Sequence, residues 1–384
     1  MLGVSAPQPA MFFAVLLAAN TALRPGSPQI PPDPVGEYEF PDPAAAFFDG
    51  TYYAFGGQHM MESADLKVWS ARRYYLHEPA RWSTGGQGGA PGAPVKLASG
   101  GYLMTFQAEE ANCSRPVCSC IGAAVAKHPS GPYHPMHHPI TCMAKEDSAI
   151  DSSPRQIPSA GGLHIYFKST GWNTLQRPSQ LWGAQMHDNG TLASEPVNLL
   201  NQTAEWEAKD HIGCIEAPAM LEIDRKFFLF YSGGDWTAGV NNTPYSIGYG
   251  ECKTPLGPCV KMTTTSPWFG PTYNGSVGTG GQEFFHDADG VPWIVFHAWA
   301  EGHAGYENNG TRTVRFKPLS IMPRLGTVQA TGASAGGASR RALLTLAQRV
   351  EIAVKEKERM LGRALDAGEK VAVAAKVKLA APAA

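Results

Sequence analysis

The feature that most constrains this chain is a unit that recurs five times: a turn carrying Gly or Asp, then a strand of aromatic and β-branched residues. It reads FFDGTYYAFGG at 47–57, LASGGYLMTFQA at 97–108, PSAGGLHIYFKST at 158–170, LEIDRKFFLFYSGG at 221–234 and HDADGVPWIVFHAW at 286–299. The strand centres fall near residues 53, 103, 165, 228 and 294. A period of about 50–65 residues holds four short strands and their turns. A second strand with a Pro/Gly-rich turn follows some units, as at 123–133 and 247–259. Helical periodicity is nearly absent between residues 36 and 324. The pattern predicts an all-β protein, a five-bladed β-propeller over residues 33–324. A pair of β-sandwiches is the competing architecture.

Composition agrees with that reading. Gly and Pro number 42 and 31, and charged residues make up only 17% of the chain, which excludes a charged coiled coil and a disordered acidic chain. A net charge of −2 provides no field for neutralising phosphates, so nucleic acid is not an expected partner.

The apolar run Met11–Ala19 is too short to span a bilayer. It fits the apolar region of a signal peptide covering residues 1–24, which predicts a secreted, extracellular protein without an integral membrane span. Sequons begin at Asn112, Asn189, Asn201, Asn241, Asn274 and Asn309, as in a glycoprotein. Of the seven Cys, Cys252 and Cys259 flank a turn sequence and predict a local disulfide. The cluster Cys113, Cys118 and Cys120 predicts another, with Cys142 as a candidate partner; the alternative is that all seven are buried thiols. Residues 325–384 read as a Gly/Ala-rich linker and a helical or disordered tail.

Three carboxylates stand ahead of repeated strands: Asp42 before Tyr52, Asp151 before His164 and Glu216 before Phe227. Each is followed by Pro within three residues. Equivalent positions in three blades converge on one central cavity. Carboxylates that share a cavity cannot all ionise cheaply, so one holds a proton while another acts as a base. That division suits hydrolysis of a glycosidic bond. Trp236, in a loop after a strand of the fourth unit, is a candidate platform for a sugar face, and His297 is a further cavity candidate. Arg155 pairs either with a substrate hydroxyl or with a surface acid.

The run Asp42-Pro43 through Phe47-Phe48-Asp49-Gly50-Thr51-Tyr52-Tyr53 resembles the first-blade motif of glycoside hydrolase family 43. Ile150-Asp151-Ser152-Ser153 resembles its third-blade motif, and Ile215-Glu216-Ala217-Pro218 with Phe228–Gly234 its fourth. Ser246–Tyr249, Thr254–Pro258 and Asp289–Trp299 also match, so the resemblance spans about residues 36–324. It implies an inverting O-glycosyl hydrolase of the arabinofuranosidase, arabinanase or xylosidase type, acting on a polysaccharide or oligosaccharide. Asp42 would be the general base, Glu216 the general acid, and Asp151 the residue that tunes Glu216. Inversion implies an acid–base separation of roughly 6.5–9.5 Å. Two rival readings are a retaining, fructosidase-like propeller hydrolase and a catalytically silent carbohydrate-binding propeller.

Two departures from the family pattern stand out. Where many members carry a His that helps hold a central ion, this chain has Gly281, followed by Gln282 as a substitute acting through water. No cofactor is required, and this departure counts against a structural calcium. The second-blade Trp-Ala-Pro is replaced by Gly89-Ala90-Pro91 or Gly92-Ala93-Pro94. Oligomeric state is not specified by the sequence.

Overall fold

The computed structural model describes residues 31–323 apart from 115–117, 147, 170–177, 209–213 and 238–242, together with Leu325 and Lys370. The expected signal peptide lies outside these residues, as does all of the expected tail except Leu325 and Lys370. Among the described residues no helix is long and apolar enough to cross a membrane.

Five four-stranded antiparallel sheets form the blades of a propeller. The first blade comprises β1 (Ala44–Phe48), β2 (Thr51–Gly56), β3 (His59–Ser63) and β4 (Arg73–Tyr74). The second comprises β5 (Val95–Lys96), β6 (Tyr102–Glu109), β7 (Ser119–Ala126) and β8 (His134–Pro135). The third has β9 (Ala149–Ile157), β10 (Gly162–Ser169), β11 (Gln180–Gln185) and β12 (Val197–Asn201). The fourth has β13 (Ile215–Ile223), β14 (Lys226–Gly233), β15 (Ser246–Cys252) and β16 (Cys259–Lys261). The fifth has β17 (Thr272–Tyr273), β18 (Ser276–His286), β19 (Pro292–Ala300) and β20 (Thr313–Pro318). Inner strands meet around the axis, with β9 on β13, β13 on β18 and β18 on β1.

The recurrent strand of the sequence is the second from the axis in each blade: β2, β6, β10, β14 and β19. Its unbroken apolar character has a simple cause. Blades pack face to face, so both faces of the strand are buried and polar alternation is lost. Neighbouring residues then serve different seams. Tyr52 packs with Phe285 and Trp293 of the fifth blade, whereas Tyr53 belongs with Tyr102 and Met104 of the second. Ile165 and Tyr166 divide in the same way, as do Ile294 and Val295. Fully buried rings such as Phe55, Phe167 and Phe230 contribute about 1.5–3 kcal/mol each.

A segment with no strand pattern in the sequence closes the ring. Val35 and Phe40 donate their N–H groups to the carbonyls of Val314 in β20 (3.0 Å) and of Arg312 just ahead of it (2.9 Å). Phe40 is wholly buried over Gly56, where a Cβ would lie 2.4 Å from its ring.

The expected disulfide Cys252–Cys259 joins residues that face each other across β15 and β16. Cys113–Cys118 and Cys120–Cys142 complete the pairing, and Cys214 is a buried free thiol. Seven free thiols are thereby excluded.

Candidate active site

Each inner strand carries a bulge in which two residues oppose one on the second strand. Asp42-Pro43 face Gly56, Ala90-Pro91 face Phe106, and Asp151-Ser152 face Phe167. Ala217-Pro218 face Tyr231, and Gly281-Gln282 face Phe296. The first residue of every bulge has left-handed backbone, with φ of 49°, 38°, 54°, 48° and 59° in blade order. Four of the five are not glycine, and such backbone costs them about 1–3 kcal/mol each. Bulges re-aim side chains. All ten bulge residues, with Ser153 and Glu283, line one cavity on the axis. The second-blade element is therefore Ala90-Pro91 rather than Gly92-Ala93-Pro94.

A bulged residue's N–H lacks a ladder partner and needs another acceptor. Side chains of the preceding blade supply it. Asp42 N–H donates to Nδ1 of His297 at 3.0 Å, and Asp151 N–H to Oε1 of Gln107 at 3.1 Å. Gly281 N–H donates to Oγ of Ser232 at 2.8 Å. Ala217 N–H reaches Oδ2 of Asp151 at 3.3 Å.

This register corrects one expectation. Asp42 and Asp151 occupy equivalent positions, but Glu216 does not; Ala217 holds that place in the fourth blade. Glu216 precedes the bulge and pairs with Ser232 across β14. Its longer side chain turns toward the third blade, where Lys168 Nζ lies 2.8 Å from Oε2. Tyr245 donates its hydroxyl to Oε1 at 2.7 Å.

The electrostatics divide the trio. Burial pushes Asp151 up to about 7, and the neighbouring Glu216 charge adds to that rise. Burial also raises Asp42, against the pull of the Arg312 guanidinium, whose Nη1 is 3.7 Å from Oδ1. Burial acts in the same sense on Glu216, but Lys168 and the hydrogen bonds from Lys168 and Tyr245 outweigh it and hold this carboxyl below its ordinary value. Of the two neighbouring carboxyls, Glu216 is the one favoured to hold the negative charge and Asp151 the one favoured to hold the proton.

Sequence reasoning missed Lys168, Tyr245 and Arg312. Lys168 has one visible signal: it is the charged residue of the strand run HIYFKS, and it is 3% exposed. Arg312 shields the Asp42 side of the cavity, stacked 4.7 Å from the ring centre of Trp236 and bonded to Tyr306 and Glu39. Trp236 is half-buried and joins the site through that guanidinium. His297 is buried beneath Asp42, with burial and the nearby Arg312 and Arg315 keeping its imidazole neutral. Arg155 pairs at 2.5 Å with a buried acid, Glu283, rather than with substrate or a surface acid.

These residues do not fit a central cation. Gly281 offers no ligand atom, and a Cβ there would lie 2.5 Å from Cε1 of His297. The Gln282 amide is committed, accepting from Ser232 at 2.6 Å and donating to Ala217 O at 2.8 Å. Glu283 already has the Arg155 guanidinium and the Ser153 hydroxyl. The candidate metal cluster among the described residues, Glu110 with Cys120 and Cys142, has both thiols in a disulfide.

The family model for glycosyl hydrolases family 43 matches residues 31–323. A thermostable family-43 glycoside hydrolase of solved structure aligns with a TM-score of 0.62 at 23% identity, covering 74% of this chain and 90% of that one. The endo-1,4-β-xylanase from Bacteroides thetaiotaomicron VPI-5482 aligns with a TM-score of 0.58 at 25% identity, covering 73% and 91%. The α-L-arabinofuranosidase from Lactobacillus brevis aligns with a TM-score of 0.58 at 18% identity, covering 77% and 97%. No curated protein sequence matches the chain.

Proposed function

The chain belongs to glycosyl hydrolases family 43, and from that premise we propose that it cleaves arabinan- or xylan-type carbohydrate with inversion at the anomeric carbon. Asp42 is the general base, Glu216 the general acid, and Asp151 sets the proton affinity of Glu216. The observation that carries this reading is the axial cavity lined by Asp42 and Asp151 from the bulges of the first and third blades, with the Glu216 carboxyl close enough to act on both electrostatically. The named activities of the xylanase and arabinofuranosidase relatives support the substrate class.

In the reaction Glu216 gives its proton to the leaving glycosidic oxygen as the bond to the anomeric carbon breaks. Water attacks that carbon from the opposite face and passes its proton to Asp42. The competent state has the proton on Glu216 and Asp42 ionised, so its population passes through a maximum with pH and falls on both sides. Because Lys168 and Tyr245 stabilise the glutamate anion, the protonated form is a strong donor. Arg312 stabilises the ionised base. Trp236, His297 and Gln282 act on substrate indirectly in this reading, through Arg312, Asp42 and the fourth-blade bulge. No metal takes part.

We place the enzyme outside the cell. Three disulfides favour an oxidising compartment. The sequon residues Asn112, Asn189, Asn201, Asn274 and Asn309 are all exposed.

The test is sugar release from an aryl α-L-arabinofuranoside, an aryl β-xyloside, linear arabinan and sucrose, with Glu216→Gln beside the wild type. Arabinose or xylose release that is lost in the variant supports the proposal. Fructose release moves the chain to a retaining activity, and sugar binding without turnover moves it to a silent binding propeller.

A further inference from the structure

In four blades the second strand carries an equivalent side chain opposite the position just before the bulge; in the first blade that place is held by Gly57. In the second, fourth and fifth blades these are Gln107, Ser232 and His297, paired with Gly89, Glu216 and Gly280. Each accepts the bulge N–H of the next blade: Asp151, Gly281 and Asp42 respectively. In the third blade the equivalent residue is Lys168, paired with Ile150. An ammonium has three donors and no acceptor, so it cannot take over that task. The N–H it would have capped, that of Ala217, goes to Asp151 instead. Lys168 reaches one residue further back, to the Glu216 carboxylate.

We propose that Lys168 is a positioning residue for the general acid: it fixes the Glu216 carboxyl at the mouth of the fourth-blade bulge and stabilises the anion left when the leaving oxygen takes the proton. This rests on the assignment of Glu216 as the acid. Keeping a buried ammonium here costs desolvation, and a structural cap at this position needs only a neutral acceptor, as the second, fourth and fifth blades demonstrate. The charge answers the charge of Glu216. The titratable groups facing Glu216 are Lys168 from β10, Asp151 from β9, Asp42 ahead of β1, Tyr245 ahead of β15 and Cys214 just before β13. Among the described residues Lys168 is the one cation facing Glu216; without it only the Tyr245 and Cys214 hydrogen bonds still favour the anion, against burial and the neighbouring Asp151 and Asp42.

The experiment is a carboxyl-carbon NMR titration of the full protein labelled at glutamate, with the Glu216 signal assigned by its loss in Glu216→Gln. It needs no substrate. Wild type is expected to titrate below the ordinary glutamate value of 4.5. In Lys168→Met the midpoint rises by at least about one pH unit, since one unit corresponds to a tenfold change in proton affinity. Lys168→Arg stays near wild type, and Lys168→Gln, which keeps a neutral donor, behaves like the Met variant and replaces it if that variant does not fold. An unchanged Glu216 midpoint in a folded Met or Gln variant overturns the proposal. If the wild type hydrolyses none of the sugars, the proposed function falls, while the titration still decides the pair.

Discussion

The N–H of Asp42 donates to Nδ1 of His297 across the seam where the fifth blade meets the first, at 3.0 Å. The bond needs a lone pair on Nδ1, so the proton sits on Nε2 and the ring is neutral. His297 therefore holds the base in place as a neutral acceptor, with burial and the nearby guanidinium groups disfavouring its charged form. His297→Ala is expected to lower kcat/KM by about 10²-fold, because small displacements of a reacting group cost that much. His297→Asn, whose amide oxygen accepts the same bond, should recover most of the loss. Equal loss in both variants would count against this role.

Gly281 is required by its surroundings. Its φ is +59°, and a Cβ would lie 2.6 Å from Nδ1 of His297 and 3.1 Å from Oδ1 of Asp42. Gly281→Ala combines strained backbone with an overpacked site, which predicts a loss of about 2–4 kcal/mol in chemical denaturation. Activity should fall with it, since the clash falls on the residue that holds the base. Wild-type stability in this variant would mean that the seam is looser than described.

Asp151 makes stability depend on pH in a defined sense. Its folded pKa is raised from 3.8 to about 7. A carboxyl that gains proton affinity on folding imposes no cost below its unfolded value, and the cost is complete above its folded value. Asp151→Asn should therefore melt close to wild type at pH 4 and several degrees above it at pH 8, at about 2–4 °C per kcal/mol. The same variant should lose activity. A melting difference that does not grow between pH 4 and pH 8 would contradict the proton placement on Asp151.

Ring closure depends on Phe40, which is fully buried and packs with Ala54, Phe285 and Val314. Phe40→Ala should cost about 3–5 kcal/mol in unfolding free energy. The loss would appear as a lower denaturation midpoint, and a change under about 1 kcal/mol would deny the segment a closing role.

The five blades were legible because the second strands are buried on both faces, and that burial writes itself as runs such as YYAF and IVF. The closing segment at 35–40 was not legible, since it is held by two backbone bonds rather than by a side-chain pattern. Asp42, Asp151 and Glu216 stand out in the sequence because a carboxylate near a Pro ahead of a strand is visible in one dimension. Their register is not legible, because a bulge shifts side chains without marking the sequence, and spacing alone makes Glu216 look equivalent to the two aspartates. Lys168 and Arg312 stayed hidden for a related reason: their partners lie 48 and 270 residues away, and nothing local announces the pairing.

The most direct test of the central claim is the configuration of the sugar at the moment of release. Proton NMR would follow hydrolysis of the aryl α-L-arabinofuranoside or aryl β-xyloside that the enzyme accepts. The account predicts that the inverted anomer accumulates first and equilibrates only later, and that Asp42→Asn and Glu216→Gln release almost none. First appearance of the retained anomer, or wild-type turnover by either variant, would contradict it.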